Sequence, residues 1–217
     1  MSLLEAGFRV PQEPRLPWRL LLRSGGTPLP PPYARARRLD FFWGRSAIFH
    51  GLRALGLAPG DRVLVPAFHC AALVEPIVRY GGEPQFYGID RDLAPDWADL
   101  EAGLAAGARA VLVVHFFGFP APIGRLRQLC DAHGAALIED CAHVLVGEAE
   151  GAALGTFGEI SVFSWHKFLP MVDGGQLLLN AARAQVAVDW SEPTRELRWA
   201  ALRGFVRRTL ASSSRRT

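Results

Sequence analysis

Of the 24 lysine and arginine residues in this 217-residue chain, Lys167 is the lone lysine and every other is arginine. A guanidinium stays protonated and cannot act as an amine nucleophile, so a chain that uses arginine wherever it needs charge keeps Lys167 for something else. Covalent amine chemistry is the sharper reading, and chance survival of a surface lysine the plainer one. Asp140 closes the run Ala135-Ala136-Leu137-Ile138-Glu139-Asp140, where a strand-end carboxylate would face a crevice. An aldehyde cofactor of the pyridoxal kind asks for a lysine to form an imine, a carboxylate to keep the ring nitrogen protonated, and an anion site for its phosphate. Lys167 and Asp140 suit the first two. For the third, Gly44-Arg45-Ser46 at the expected start of a helix offers backbone N–H groups and the positive end of the helix dipole, and the Ser164 hydroxyl adds a hydrogen bond. Position alone also allows Asp140 to be a helix N-cap, and a glycine before a helix is common.

The elements that position these residues follow from periodicity and punctuation. Residues 1–38 are rich in proline and arginine and read as an extended arm. A cofactor-binding domain is expected over residues 39–182, and residues 183–217 read as a basic tail in which residues 197–210 can form a short amphipathic helix. A helix opens at Gly44, places Ala47, Ile48, Leu52 and Leu55 on one face, and stops at the turn Ala58-Pro59-Gly60-Asp61. Apolar strands over residues 62–66, 84–89, 110–115, 135–140, 160–165 and 176–179 alternate with helices over 96–106 and 123–133. That alternation predicts one α/β domain, a mostly parallel sheet with helices on both faces. Ligands of open α/β sheets lie at the carboxyl ends of the strands. Here those ends carry Phe68-His69-Cys70, His115 to Gly118, Asp140 to His143 and Ser164 to Lys167.

Composition narrows the partners. Half the residues are apolar, enough for one substantial core. The net charge of +3 is small, and its basic excess gathers in residues 195–216 rather than in a patch interleaved with aromatics, so no nucleic-acid partner is expected. Three cysteines, an odd number, and no apolar leading segment point to a reducing cytoplasm, and no run reaches the roughly 18 apolar residues of a membrane span. His69, Cys70, Asp140, Cys141 and His143 are competent metal ligands, but no pair has zinc-finger spacing; Cys70 and Cys141 read as buried core residues, and no metal is expected. No Gly-x-Gly-x-x-Gly follows the first strand, which excludes the usual nicotinamide site. His50 and His133 read as ordinary helix residues, His115 as either a satisfied core histidine or a catalytic one, and Trp97, Trp165 and Trp199 as packing.

Over residues 40–180 the order of short motifs resembles the DegT/DnrJ/StrS family of pyridoxal-phosphate sugar aminotransferases. The collinear matches are Gly44-Arg45-Ser46-Ala47, Ala54 to Asp61, Val65-Pro66-Ala67-Phe68, His115-Phe116-Phe117-Gly118, Ile138 to His143, Gly155-Thr156-Phe157-Gly158-Glu159, Phe163 to Lys167 and Asp173-Gly174-Gly175. The resemblance implies a fold-type-I large domain, a homodimer with sites at its interface, and amino transfer from glutamate to a nucleotide-linked keto sugar for surface-polysaccharide or amino-sugar synthesis. Lys167 would hold the cofactor and Asp140 its ring nitrogen. The departures are informative. The family spaces its serine and lysine five apart, whereas Ser164 and Lys167 are three apart, although the interval from Lys167 to Gly174-Gly175 matches. His143 replaces a glutamine near the phenolic oxygen, and either side chain donates a hydrogen bond. Cys70 stands at the ring-stacking position, leaving His69 or Phe68 to serve. A dehydratase branch carries histidine in place of the lysine, and His166 adjoins Lys167, but the glycine spacing favours Lys167. After Asn180 neither the family's smaller C-terminal domain nor its Gly-x-Asn-x-Arg segment follows. The alternative is therefore a truncated, inactive member that serves as a cofactor-binding or interaction module.

Overall fold

The computed structural model describes residues 37–169, 174–181 and 184. Seven strands form one sheet, in spatial order β1 (Arg38–Phe41), β9 (Gly175–Leu179), β8 (Ile160–Ser164), β5 (Ala136–Cys141), β4 (Ala110–Val114), β2 (Arg62–Pro66) and β3 (Glu83–Tyr87). Only β9 runs against its neighbours; the other pairings are parallel. A hairpin, β6 (Glu148–Ala149) with β7 (Ala152–Ala153), stands apart from the sheet. Central strands such as β4, Ala-Val-Leu-Val-Val, are buried throughout, which is why they read as continuous apolar runs rather than alternating ones.

Four helices cover the two faces. On one, Ala47, Ile48 and Leu52 of α1 (Gly44–Ala54) and Leu73 and Ile77 of α2 (Ala71–Tyr80) pack on Val63, Val65, Leu112, Ile138 and Ile160. On the other, Leu100 and Leu104 of α3 (Trp97–Ala105) and Leu126 and Cys130 of α4 (Ile123–His133) pack on Leu64, Val111, Val113 and Leu137. The period of two along β2 thus sends Val63 and Val65 to one core and Leu64 to the other. Asp96 caps α3 by accepting from the Ala98 and Asp99 N–H groups.

Helix α2, strand β1 and the hairpin of β6 and β7 escape the sequence reading. Helix α2 carries Pro76 in its interior, normally a breaker; its Leu73, Pro76 and Ile77 are buried, and this tertiary packing outweighs the lost backbone bond. Strand β1 shows no local signal in Arg-Leu-Asp-Phe because its partner is remote: Arg38 pairs with Leu178 and Phe41 with Gly175. Arg38 therefore belongs to the sheet rather than to the arm. Residues 1–36, and the tail with its expected helix over 197–210, lie outside the described residues, as does Asp173.

The connections open a crevice. From β2 the chain passes through α2 on one face to the edge strand β3, then returns through α3 on the other face to β4, on the far side of β2. Loops leaving β2 and β4 consequently diverge, and a ligand crevice opens between such loops at the carboxyl ends. Phe68 and Phe116 line it with ring centroids 5.3 Å apart.

Candidate functional site

The first turn of α1 lies beside the end of β8. Trp43, the N-cap, contributes no side-chain hydrogen bond, and its carbonyl accepts from Ser46 at 3.0 Å and Ala47 at 3.3 Å. The N–H groups of Gly44 and Arg45 meet no acceptor among the described residues. A Cβ built on Gly44 would lie 3.8 Å from Ser164 Oγ, so that hydroxyl adjoins the uncapped turn. Gly175 of β9 closes the arrangement, since any Cβ there would fall 2.7 Å from Gly44 N. Two N–H groups without an acceptor among the described residues, a hydroxyl and the positive end of the helix dipole together could hold an anion. Arg45 gives it only backbone: its guanidinium turns away to pair with Glu75 at 2.6 Å and to lie over the Trp43 ring. The side chains of Arg45 and Ser46 instead line a groove between α1 and α2.

Asp140, 8% exposed, uses Oδ1 to accept from Ala142 N at 2.8 Å. A tight turn, not a helix, follows β5, so Asp140 is no helix N-cap. Its Oδ2 has no protein donor among the described residues. Burial pushes this carboxyl above its ordinary value, opposed first by the Ala142 hydrogen bond and then by the charges of Lys167, His143 and His115. Lys167 is exposed, in the short 3-10 turn Trp165–Lys167 that directly follows β8. Half-buried His143 is held below its ordinary value by burial and then by Lys167, against the pull of Asp140. Lys167, Asp140 and His143 thus share one electrostatic neighbourhood. Ser164 Oγ lies 3.2 Å from His166 Nδ1.

One acid the sequence reading passed over organises the loops. Glu139, fully buried in β5, accepts from the N–H groups of Gly155 at 2.8 Å, Phe157 at 2.7 Å and Gly158 at 2.6 Å. His115 Nε2 donates at 3.2 Å, and because His115 Nδ1 accepts from Ala121 N, its proton sits on Nε2. These donors compensate the burial of a carboxylate, and they tie the motif Gly155 to Gly158 to the strand that ends in Asp140. The available signal was an acid inside an otherwise apolar strand.

Other candidates separate. His69 donates from Nδ1 into its own loop, with Pro66 O at 2.8 Å and Ala67 O at 3.1 Å, and stacks on Phe86 of the edge strand. Phe68, not His69, turns toward the centre of the sheet. Cys70 is exposed at the start of α2, contrary to its reading as a core residue, while Cys141 and Cys130 are buried. Among the described residues the clustered metal-ligating set is His115, Glu139 and Cys141, not the set read from sequence; the imidazole and carboxylate there are already spent on hydrogen bonds.

A seven-stranded sheet with one antiparallel member, and a polar cluster at its carboxyl ends beside an uncapped helix, is the large domain of a fold-type-I pyridoxal-phosphate transferase. The chain belongs to the DegT/DnrJ/EryC1/StrS aminotransferase family, whose model matches residues 43–188. It is 37% identical over 141 residues to the GDP-perosamine synthase of Vibrio cholerae, covering 64% of this chain and 38% of that protein. It is also 37% identical over 123 residues to a UDP-N-acetyl-3-dehydro-alpha-D-glucosamine 3-aminotransferase of Acidithiobacillus ferrooxidans, covering 56% of this chain and 33% of that one. The structure of a DegT DnrJ EryC1 StrS aminotransferase from Brucella abortus matches with a TM-score of 0.62 at 30% identity, over 68% of this chain and 42% of its own. The chain thus spans roughly a third to two-fifths of the length of these curated relatives. No helix among the described residues is long and apolar enough to cross a membrane.

Proposed function

We propose that this chain binds pyridoxal phosphate and forms the cofactor-holding part of a sugar aminotransferase, with Lys167 as its amine. The observation that carries the reading is the meeting of three different chemical requirements at one end of one sheet. The phosphate would lie on the free N–H groups of Gly44 and Arg45 and on Ser164 Oγ. Asp140 Oδ2 is the atom left to accept from a protonated ring nitrogen, and that cation would offset the cost that burial imposes on the carboxylate. His143 stands near both Asp140 and Lys167 as a further donor. Phe68, turned to the crevice, is better placed than His69 to cover a planar ring.

The bound cofactor supplies an electron sink conjugated to its aldehyde carbon. The residues do the rest. Asp140 keeps the ring nitrogen protonated, and Lys167 Nζ, once free, carries a proton to or from the substrate carbon that exchanges its nitrogen. The names of the two curated relatives describe nucleotide-linked sugars and support a nucleotide-linked keto sugar as acceptor; glutamate as the amino donor and a homodimer as the working form complete the proposal.

The test is spectroscopic. Purified protein given pyridoxal phosphate should develop a visible band that borohydride abolishes, leaving the cofactor fixed on the peptide that contains Lys167. Lys167→Ala should show neither. A folded wild-type protein without the band would remove the cofactor reading and leave an interaction module that keeps the fold without turnover.

A further inference from the structure

The loop leaving β4 wraps around the histidine of the loop leaving β5. Phe117 holds a left-handed backbone, φ 56° and ψ 17°, a conformation that is sterically costly for a bulky side chain. Gly118 follows at φ 87°, and a Cβ there would lie 2.9 Å from His143 O, so the turn closes directly on the His143 backbone. From this turn the Phe117 N–H donates to His143 Nδ1 at 3.2 Å. The Phe117 ring stacks on the imidazole, centroids 5.9 Å apart and planes 16° apart. Yet Phe117 is 65% exposed, so burial does not explain why a strained conformation is kept. What the turn delivers is an N–H aimed at Nδ1.

An imidazole that accepts at Nδ1 carries its proton on Nε2. Among the described residues Nε2 meets no protein acceptor, while Asp140, from β5, and Lys167, from the turn after β8, act on the ring. We propose that Phe117 is a positioning residue whose left-handed turn holds His143 as the neutral Nε2–H tautomer, presenting one fixed N–H donor to an anionic oxygen of the cofactor. That last clause rests on the cofactor reading above; the tautomer is a property of the chain alone. A glutamine amide can offer either its oxygen or its nitrogen, whereas a locked imidazole offers only a donor, so the lock settles the sign of the interaction before any ligand arrives.

Nitrogen-15 NMR of histidine-labelled, ligand-free protein at neutral pH reads the tautomer directly, with His143 assigned by the signal lost in His143→Gln. The expected spectrum shows a protonated Nε2 and a bare Nδ1; a protonated Nδ1 or an exchanging mixture overturns the lock. Phe117→Gly retains the N–H and adopts left-handed backbone without steric cost, so it should keep the single tautomer. A mixture there would assign the effect to the ring and overturn the N–H account. Phe117→Pro removes the donor and, with its φ fixed at negative values, also abolishes the left-handed turn, and should give the mixture; if it does not fold, the wild-type and Phe117→Gly spectra still decide. Absorbance titration with pyridoxal phosphate then tests the donor's use. Phe117→Pro should weaken binding about tenfold in the wild-type background and hardly at all with His143→Gln; equal losses in both would mean that Phe117 acts on the fold and not through His143. A fixed tautomer in folded protein that binds no pyridoxal phosphate would defeat the cofactor reading and leave the lock standing.

Discussion

Asp140 is where the cost of the site is measurable without a ligand. Its carboxyl titrates above its ordinary value of 3.8, with burial the largest cause, so the ionised form is disfavoured in the folded state at neutral pH. The folded protein regains that stability as pH falls through the raised value, and the recovery is complete below 3.8. Asp140→Asn keeps an oxygen for Ala142 N and cannot ionise. It should raise Tm at pH 7 by a few degrees, with the advantage over wild type shrinking to nothing in acid, while tight binding of pyridoxal phosphate is lost. A calorimetric pH series that showed no such convergence would contradict the account of the buried carboxylate. Glu139 is held differently, its oxygens accepting from Gly155, Phe157, Gly158 and His115. Glu139→Gln keeps one accepting oxygen but sets an NH2 group against the donors that face the other, and should cost about 3–5 kcal/mol in urea unfolding. The strand-end positions of Asp140 and Ser164, the turn position of Lys167 and the helix start at Gly44 were legible in the sequence, because the apolar and helical patterns change there. Glu139 and Phe117 were not. Their partners sit on other loops, and neither a left-handed φ nor a shared N–H leaves a mark on spacing.

Long elements with strong periodicity, α1, α4, β2 and β8, lie within a residue or so of where their patterns place them. β1 is four residues long and depends on a partner across the sheet, and α2 hides behind Pro76; in both, tertiary contacts decide what local preference does not. The contact between β9 and α1 offers a test of how elements build the site. Gly175 leaves no room for a side chain against the backbone of Trp43 and Gly44. Gly175→Ala should therefore push the first turn of α1 away from Ser164, costing about 1–3 kcal/mol of stability and at least about tenfold in pyridoxal-phosphate affinity. A variant that lost stability but bound normally would show that the anion site does not depend on this contact.

Across the whole sheet, protection should follow position. β4, β5 and β8 are buried on both faces and flanked by strands, whereas β1 and β3 are edges. Native-state hydrogen exchange should find the slowest amides in the first three and faster exchange at the two edges; uniform protection would argue against this strand order. The edges also differ in when they can form. β3 pairs with β2, its near neighbour along the chain, but among the described residues β1 pairs only with β9. Strand β1 is therefore made well before β9, and waits through the synthesis of the intervening strands with its hydrogen-bonding groups unclaimed by the sheet. The proposed anion site shares that delay, since it needs Gly44 together with Ser164 and Gly175, which are added only after β2, β4 and β5. A nascent polypeptide halted before residue 164 can already pair β2 with β3 and β4 with β5, yet it lacks the Ser164 and Gly175 of the proposed phosphate site, so on that proposal ligand capture follows the making of this sheet and cannot guide it.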